Sequence, residues 1–351
     1  MDLIKRSFRI IVISLAAFLF VFIAGCNAEL QTPVDPTLEE PVITEVAPTP
    51  DMTATSDPAL ETPLVLLVSA ADADPLTIEQ VRLALEPLAT AAGMNLETHQ
   101  DIASELITPS VQLVVGVGAD LDLVNFASAS PDISFVWIDA EDGSPQENLS
   151  IIGDSRTLSE HQAFMAGYLA ALISNDYKVA ALIPSESADR DTLAQSFENG
   201  ARFYCGLCLP QYPPHGRFPQ WEALAQGSSQ DTFRPVINQF QNLGVDVIYV
   251  AGALAEPDLL ANLAESGITV VGDSPPDVAR NNWAGTIIMD PGPALAQIWP
   301  DLVSGRAGVQ VPASVRLVDV QSERVSNARL RLFDEVLADL QSGMISPVTV
   351  P

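Results

Sequence analysis

Apolar residues cluster in short continuous runs from Leu64 onward, and segments with helical spacing separate these runs. The runs predict strands at 64–68, 112–117, 133–138, 178–183, 245–250 and 268–272, and the helical patterns lie at 77–93, 189–203, 231–243 and 256–266. Strands that are apolar throughout are typical of parallel sheets covered by helices on both faces. The pattern therefore predicts an α/β fold built on doubly wound parallel sheets.

The length of this region indicates two lobes. About 290 residues follow position 63, which is large for one sheet and comfortable for two. The predicted strands fall into one group before residue 156 and another after it, so we expect the boundary there.

The stretch from Ser159 to Pro184 has a long apolar run at 163–173, which is too short to span a bilayer. Ser159 and Gln162 have the spacing of a capping box, which predicts a helix from about Ser159 to Ser174 and a strand after it. Gly167 in this helix allows a neighbouring element to approach closely.

The beginning of the chain has the layout of an export signal. Basic residues precede an apolar run at 10–24, and the segment Ile-Ala-Gly-Cys at 23–26 resembles a lipobox. This predicts a signal peptide at 1–25 and a lipidated, palmitate-bearing Cys26 that anchors the protein at the extracytoplasmic face of the cell membrane. The alternative is a transmembrane anchor followed by an incidental cysteine, but the run is short for a span.

Residues 26–63 predict a tether after this anchor. Beyond Cys26 the segment is rich in Pro, Thr and Glu, contains no basic residue and lacks helical or strand periodicity. Proline favours extended chain and like charges repel, so we expect no packed structure here.

The acidic net charge of the chain argues against some classes of binding partner. The formal net charge is −29, and removing 1–25 takes away three basic residues and one acidic residue, which leaves −31. Nucleic acid requires a basic surface, so it is not an expected partner. An acidic surface also disfavours binding to anionic lipid through charge, so we expect the lipid anchor to provide the membrane attachment.

Cys205 and Cys208 remain after Cys26 in a chain with three cysteines. In an extracytoplasmic protein this even remainder favours a disulfide. Free thiols are one alternative. A redox or zinc motif is another, although prolines follow the pair closely and only His215 lies near as a further ligand.

The second half of the chain contains a series of short motifs in a fixed order. They are Glu160, Phe164, Ala166 and Gly167 in one helix, 178–180 in the next strand, 197–201, 244–274 and the ending at 340–351. Taken in this order, the motifs resemble the basic membrane protein family of substrate-binding lipoproteins, which includes the PnrA-like nucleoside-binding proteins. The resemblance covers about 160–351.

This resemblance implies a type I periplasmic-binding-protein fold with two lobes joined by a hinge of three crossovers. The expected N-terminal lobe is 64–155 plus about 283–310, and the C-terminal lobe is 156–282 plus about 311–351. It further implies that a small polar solute, nucleoside-like as a first expectation, binds between the lobes and is passed to the permease of an ABC transporter.

Residues at the carboxyl ends of the predicted strands are the candidate ligand contacts, because ligands of such folds bind there. In the first lobe they are Ser69, Asp72 (or Asp74), Gly116, Gly118 and Asp139, and in the second lobe they are Ser185, Ala251, Gly252 and Asp273. Asp273 matches a family position at which a carboxylate accepts hydrogen bonds from sugar hydroxyls. Helix caps, turns and packing are the alternative roles for these residues, and Trp137 and Trp221 are candidates for ring stacking.

The motifs of common enzyme classes are missing from the sequence, which has no nucleophile elbow, phosphate-binding loop or zinc-protease motif. We therefore expect no catalytic residue, no metal and no cofactor. The first lobe departs from the family because it lacks an aromatic residue and an Asn after its first strand. A ligand-sensing or interaction lipoprotein without a transport role is thus the alternative function.

Overall fold

The structure is a computed structural model that describes residues 62–71, 73–119, 121–140 and 143–348. Two six-stranded sheets form the framework of these residues, and all pairings within the sheets are parallel except that of the last strand. The predicted α/β fold with two parallel-sheet lobes is confirmed.

The first sheet has the strand order β2-β1-β3-β4-β5-β11. Its strands are β1 (Leu64–Ser69), β2 (Asn95–Gln100), β3 (Val111–Val117), β4 (Ser134–Ile138), β5 (Leu149–Ile152) and β11 (Gln310–Val311). The helices of this lobe are α1 (Pro75–Ala91), α2 (Leu123–Ala129) and α7 (Gly292–Val303).

The second sheet repeats this order as β7-β6-β8-β9-β10-β12. Its strands are β6 (Val179–Pro184), β7 (Gln220–Leu224), β8 (Val247–Val250), β9 (Thr269–Gly272), β10 (Trp283–Asp290) and β12 (Ser314–Val318). The accompanying helices are α3 (Ser155–Ile173), α4 (Arg190–Cys205), α5 (Gln230–Asn242), α6 (Pro257–Ser266) and α8 (Asn327–Gln341).

Both faces of each sheet are buried, which explains why the inner strands are apolar throughout. In the first lobe, α1 and α7 cover one face, while α2 and the loops around it cover the other. In the second lobe, α3, α4 and α8 cover one face and α5 and α6 the other. Among the described residues, no helix combines the length and apolar character needed to cross a bilayer.

Three crossovers connect the lobes: between β5 and α3, between β10 and α7, and between β11 and β12. The expected assignment of residues from about 283 onward to the N-terminal lobe was therefore wrong for β10. That strand pairs with β9 and β12 in the second sheet, and the chain returns to the first lobe only after Asp290. Gly153, with φ of 81°, forms the first crossover and donates its N–H to the Val311 carbonyl at 2.8 Å.

The helix α3 begins four residues earlier than the capping box at Ser159 predicts. Asp154 is the N-cap, because its side chain accepts a hydrogen bond from the Thr157 N–H at 2.8 Å. Ser159 instead lies within the helix, where the spacing to Gln162 has no capping role.

Two glycines set the packing of α3 against α4. A Cβ at Gly167 would overlap the Phe197 carbonyl oxygen, and a Cβ at Gly200 would overlap the Phe164 carbonyl oxygen. Each helix therefore presses its backbone onto a glycine of the other. The expected close approach at Gly167 is confirmed, and Gly200 is its counterpart on α4.

We expect Gly200→Ala to destabilise the fold by about 3 kcal/mol or more, because the blocking atoms are backbone and cannot rotate away. The loss should appear even though alanine favours a helix interior by about 1 kcal/mol over glycine. Urea unfolding measures the change in the free energy of unfolding.

Gly227→Ala is the control for this substitution. Gly227 has φ of 71° but open space around it, so alanine there costs only the backbone strain of about 1–2 kcal/mol. An equal loss of stability in the two variants would contradict the role assigned to the glycine contact.

Candidate functional site

The carboxyl ends of the strands meet the hinge in both lobes. β5 and β10 end at crossovers, β11 ends at the third crossover, and the antiparallel β12 begins there, with Ser314 opposite Asp290. In each sheet the strand order also reverses at this edge, between β1 and β3 and between β6 and β8. Such switch points are where open α/β sheets bind ligands, so the geometry places the candidate site in the cleft between the lobes.

Most of the candidate contacts predicted from the sequence lie along these edges. Ser69 ends β1, Asp139 follows β4, Ser185 follows β6, Gly252 follows β8 and Asp273 follows β9. Asp72 and Cys26, the predicted lipidation site, lie outside the described residues.

Asp273 is the candidate with the most distinctive surroundings. The Tyr249 hydroxyl donates to its Oδ2 at 2.6 Å. Its Oδ1 is buried and makes no hydrogen bond of regular geometry among the described residues, although the N–H groups of Gly252 and Asp273 lie close enough to act on the carboxylate. Leaving a buried carboxylate oxygen without a hydrogen bond costs free energy. Oδ1 is therefore a candidate acceptor for an N–H or O–H group of a ligand.

The local sequence explains how Tyr249 reaches Asp273. Tyr249 pairs with Val271 across β8 and β9, and Asp273 follows Val271 by two residues, so both side chains lie on the same face of the sheet. On that face the Tyr249 ring stacks on Phe197 of α4, with ring centroids 5.9 Å apart and an interplanar angle of 16°. The phenol is therefore held in place by the core behind it.

Gly252 lies directly beside the Asp273 carboxylate. A Cβ at this position would lie 2.8 Å from Asp273 Oδ1 and 2.9 Å from the Ser274 Cβ. The lack of a side chain at Gly252 therefore leaves space for the Asp273 carboxylate.

Burial raises the pKa of Asp273 to about 6, while the Tyr249 hydroxyl and the backbone N–H groups of Gly252 and Asp273 act in the opposite direction. The residue as a whole is partly exposed, but Oδ1 has almost no contact with solvent, so the carboxyl group behaves as buried. The same burial raises the pKa of Tyr249, with the charge of Asp273 adding to it. Tyr249 therefore remains a neutral donor at physiological pH.

In the first lobe, Asp139 is partly exposed and adopts a left-handed backbone, with φ of 63°. Nearby, Gly118 has φ of 104° and its carbonyl accepts the Trp137 Nε1–H at 2.7 Å. The indole nitrogen of Trp137 is thus engaged within its own lobe. Gly116 serves packing, because a Cβ there would overlap the side chain of Leu123 on α2.

Asp74 has a structural role. Its carboxylate caps α1 by accepting hydrogen bonds from the Leu76 and Thr77 N–H groups, at 3.2 and 3.1 Å, and from the Thr77 hydroxyl at 2.9 Å. The expectation that Asp74 could substitute for the ligand-binding aspartate of the family is therefore wrong. Trp221 lies in the edge strand β7 and lines a surface groove beside α4.

The sequence did not point to Tyr249 or Gln80. Within the described part of the chain, neither polar atom of the Gln80 side chain has a hydrogen-bond partner, although both are buried, and the same is true of the Nδ1 of His161. They lie within the first two turns of α1 and α3, which begin at the carboxyl edges of the sheets. Burial lowers the pKa of His161, against the attraction of Asp154, so its ring is neutral at physiological pH.

Cys205 and Cys208 form a disulfide, with Cα atoms 4.9 Å apart. It lies at the carboxyl end of α4, whereas a thiol redox motif is expected at the start of a helix. The described residues contain no group of three His, Cys, Asp or Glu side chains arranged to hold a metal ion.

The Asp273 carboxyl should make the stability of the ligand-free protein depend on pH. Its pKa is about 6 in the folded protein and ordinarily near 3.8, so folding favours the protonated form. This contribution is present below about pH 4 and is lost as the pH rises through 6.

We therefore expect the stability of the wild-type protein to fall relative to Asp273→Asn between pH 4 and 7, by at most about 3 kcal/mol. Urea unfolding of both proteins across this range measures the difference, and other carboxylates cancel in the comparison. A difference that stays constant with pH would show that the carboxyl group is not held in a buried setting.

Comparison with known proteins supports the fold. No family model matches the chain, and no curated protein matches it. Among solved structures, an ABC transporter system solute-binding protein from Conexibacter woesei DSM 14684 has a TM-score of 0.56 at 14% identity, covering 82% of this chain and 98% of its own. A second such solute-binding protein, from Aeropyrum pernix K1, has a TM-score of 0.51 at 16% identity, covering 81% of this chain and 93% of its own.

A transcriptional activator of the comK gene from Bacillus halodurans is similar to the same degree, with a TM-score of 0.55 at 15% identity, covering 81% of this chain and 99% of its own. At these identities the likeness establishes the fold alone. The chain has the two-lobed α/β fold of periplasmic-binding-protein-like structures, a fold that solute-binding proteins of ABC transporter systems share.

Proposed function

We propose that this protein binds a small polar solute between its two lobes and delivers the solute to an ABC importer. The observation that carries this proposal is the Oδ1 of Asp273, which is buried at the carboxyl edge of the second sheet and makes no regular hydrogen bond among the described residues. A hydroxyl or N–H group of a ligand would satisfy it.

The architecture suits reversible capture of such a solute. The lobes are joined by three short crossovers, so they can close over a ligand while each sheet keeps its own core. Closure removes water from the ligand and strengthens its hydrogen bonds to the cleft. It also changes the outer shape of the protein, which a permease can recognise.

A nucleoside-like ligand is the first choice of substrate class. Sugar hydroxyls are good donors to a carboxylate, and the Tyr249 hydroxyl occupies only Oδ2 of Asp273, which leaves Oδ1 without a regular hydrogen bond among the described residues. The resemblance of 244–274 to nucleoside-binding proteins supports this choice.

The proposed location is the extracytoplasmic face of the cell membrane. The lipobox-like segment at 23–26 supports lipidation of Cys26, and the acidic, proline-rich composition of 27–63 supports a role as a tether. In this arrangement the lipid, and not surface charge, provides the attachment.

A second function is favoured by one observation in the first lobe. Asp74 is occupied as a helix cap, so among the described residues the loop after β1 provides no carboxylate for a ligand. A binding site weakened in this way suits a ligand-sensing or interaction lipoprotein without a transport role. Neither function requires catalysis, and we propose that the protein is not an enzyme.

Thermal-shift screening of the chain from residue 62, within the compact unit that starts at Ala59, tests the first function. Nucleosides, sugars and amino acids are the compounds to screen. A ligand at one hundred times its dissociation constant stabilises the protein by about 2.7 kcal/mol, which gives a clear rise in melting temperature. A folded protein that responds to none of these compounds would favour the second function.

We expect Asp273→Ala to abolish the rise in melting temperature caused by the ligand, because it removes the acceptor. Asp277→Ala is the matched control, since Asp277 lies on the same loop and is exposed. A ligand response that survives in Asp273→Ala, or is lost equally in Asp277→Ala, would remove Asp273 from the site.

Gly252→Ala should weaken ligand binding and also destabilise the free protein, by about 1–3 kcal/mol. The added Cβ pushes on the Asp273 side chain and on the Ser274 Cβ, which the backbone holds in place. Calorimetric titration with the ligand found in the screen measures the dissociation constant. An unchanged dissociation constant would mean that Gly252 does not position the carboxylate for the ligand.

A further inference from the structure

A cluster of exposed apolar side chains surrounds the disulfide at the end of α4. Leu207, Leu209 and Tyr212 are 79%, 66% and 68% exposed, and Phe203 and Tyr204 beside them are also exposed. We call residues 203–217 the disulfide tip. It joins the carboxyl end of α4 to the beginning of β7, so it lies at the end of the second lobe opposite the cleft.

The disulfide tip is held so that these side chains point outward. The disulfide between Cys205 and Cys208 closes its first turn. Asp176 accepts hydrogen bonds from the Gln211 and Tyr212 N–H groups, at 2.6 and 3.1 Å, and Lys178 Nζ donates to the Tyr212 carbonyl at 2.8 Å. These bonds hold the backbone of Tyr212 in place at the surface, where its side chain is exposed.

The charge around the disulfide tip differs from that of the rest of the molecule. The chain has 45 acidic residues, yet none occurs from 199 to 221. Asp176 and Lys178 pair with each other beneath the tip at 3.1 Å, and Arg202 pairs with Glu198 at 2.9 Å. This leaves Arg217, together with His215, exposed in a segment that contains no acidic residue.

We propose that the disulfide tip inserts into the interfacial region of a lipid bilayer. Leucine side chains bury in the acyl region, and tyrosines, with an apolar ring and a polar hydroxyl, favour the boundary with the headgroups. Arg217 can bind headgroup phosphates there. The acidic charge elsewhere on the protein is screened over about 8 Å at physiological salt, which weakens its opposition to contact at this segment.

This surface goes beyond solute binding and is independent of it. A lipid on Cys26 would hold the protein near the membrane through a long tether, which leaves the orientation of the lobes open. Insertion of the disulfide tip adds a second contact that orients the second lobe with the far end of its sheet toward the bilayer.

A tryptophan reporter tests the proposal in the full chain. Leu209→Trp places the reporter in the disulfide tip, and Leu83→Trp places it at another exposed leucine, on α1 of the first lobe. Both proteins are reconstituted in vesicles of phosphatidylethanolamine and phosphatidylglycerol, with and without bromine on the acyl chains. The emission of the parent protein is subtracted, because it has four tryptophans of its own.

We expect the emission of Trp at 209 to shift to shorter wavelength in vesicles and to be quenched by the brominated chains, while the reporter at 83 does neither. Both proteins carry the same N-terminal segment, so a difference between them reports the tip and not the anchor. Equal quenching of the two reporters, or quenching of neither, would overturn the proposal.

Adding Leu207→Ser and Tyr212→Ser to Leu209→Trp should reduce the quenching, with an unchanged melting temperature showing that the protein is still folded. Emission that shifts with protein concentration in the absence of vesicles would instead identify a second copy of the chain as the occupant, and would overturn the lipid proposal. Failure of the solute screen would leave this result unchanged, so the two hypotheses can fail separately.

Discussion

The contact between α3 and α4 at Gly167 and Gly200 is the constraint on which the second lobe depends. Because each helix presses its backbone onto the other, the Phe197 ring is brought over the sheet, where it stacks on Tyr249. Tyr249 in turn holds one oxygen of Asp273 at the edge of the cleft. Helix packing in the core is thus linked through two aromatic rings to the carboxylate that we assign to ligand binding.

The inner strands of the fold could be predicted from the sequence because burial on both faces leaves a continuous apolar run, as in β3 and β6. The edge strands β2 and β7 could not, since they are partly exposed and their polar residues resemble a loop. The lobe to which β10 belongs was also beyond prediction. The sequence of β10 is equally compatible with either sheet. Only its pairing with β9 and β12 shows that it belongs to the second one.

The candidate site likewise has a part that the sequence predicts and a part that depends on the fold. Asp273 could be predicted because a polar residue directly after a buried strand lies at the carboxyl edge. Its partner Tyr249 could not, because the contact depends on the register of two strands, although a tyrosine inside an apolar strand is a signal that its hydroxyl needs an acceptor. Asp74 was misjudged because capping requires the same kind of position, just ahead of a helix, as ligand binding does.

The three crossovers also determine when the protein can fold during its synthesis. α7 contributes Leu295, Ile298 and Trp299 to the core of the first lobe, and β11 adds the last strand to its sheet. The first lobe therefore cannot complete its core until residues beyond 300 have left the ribosome, although most of its chain was made first. The second lobe needs β12 and α8 to complete its own core, so we expect both lobes to become stable only after nearly the whole chain has been translated.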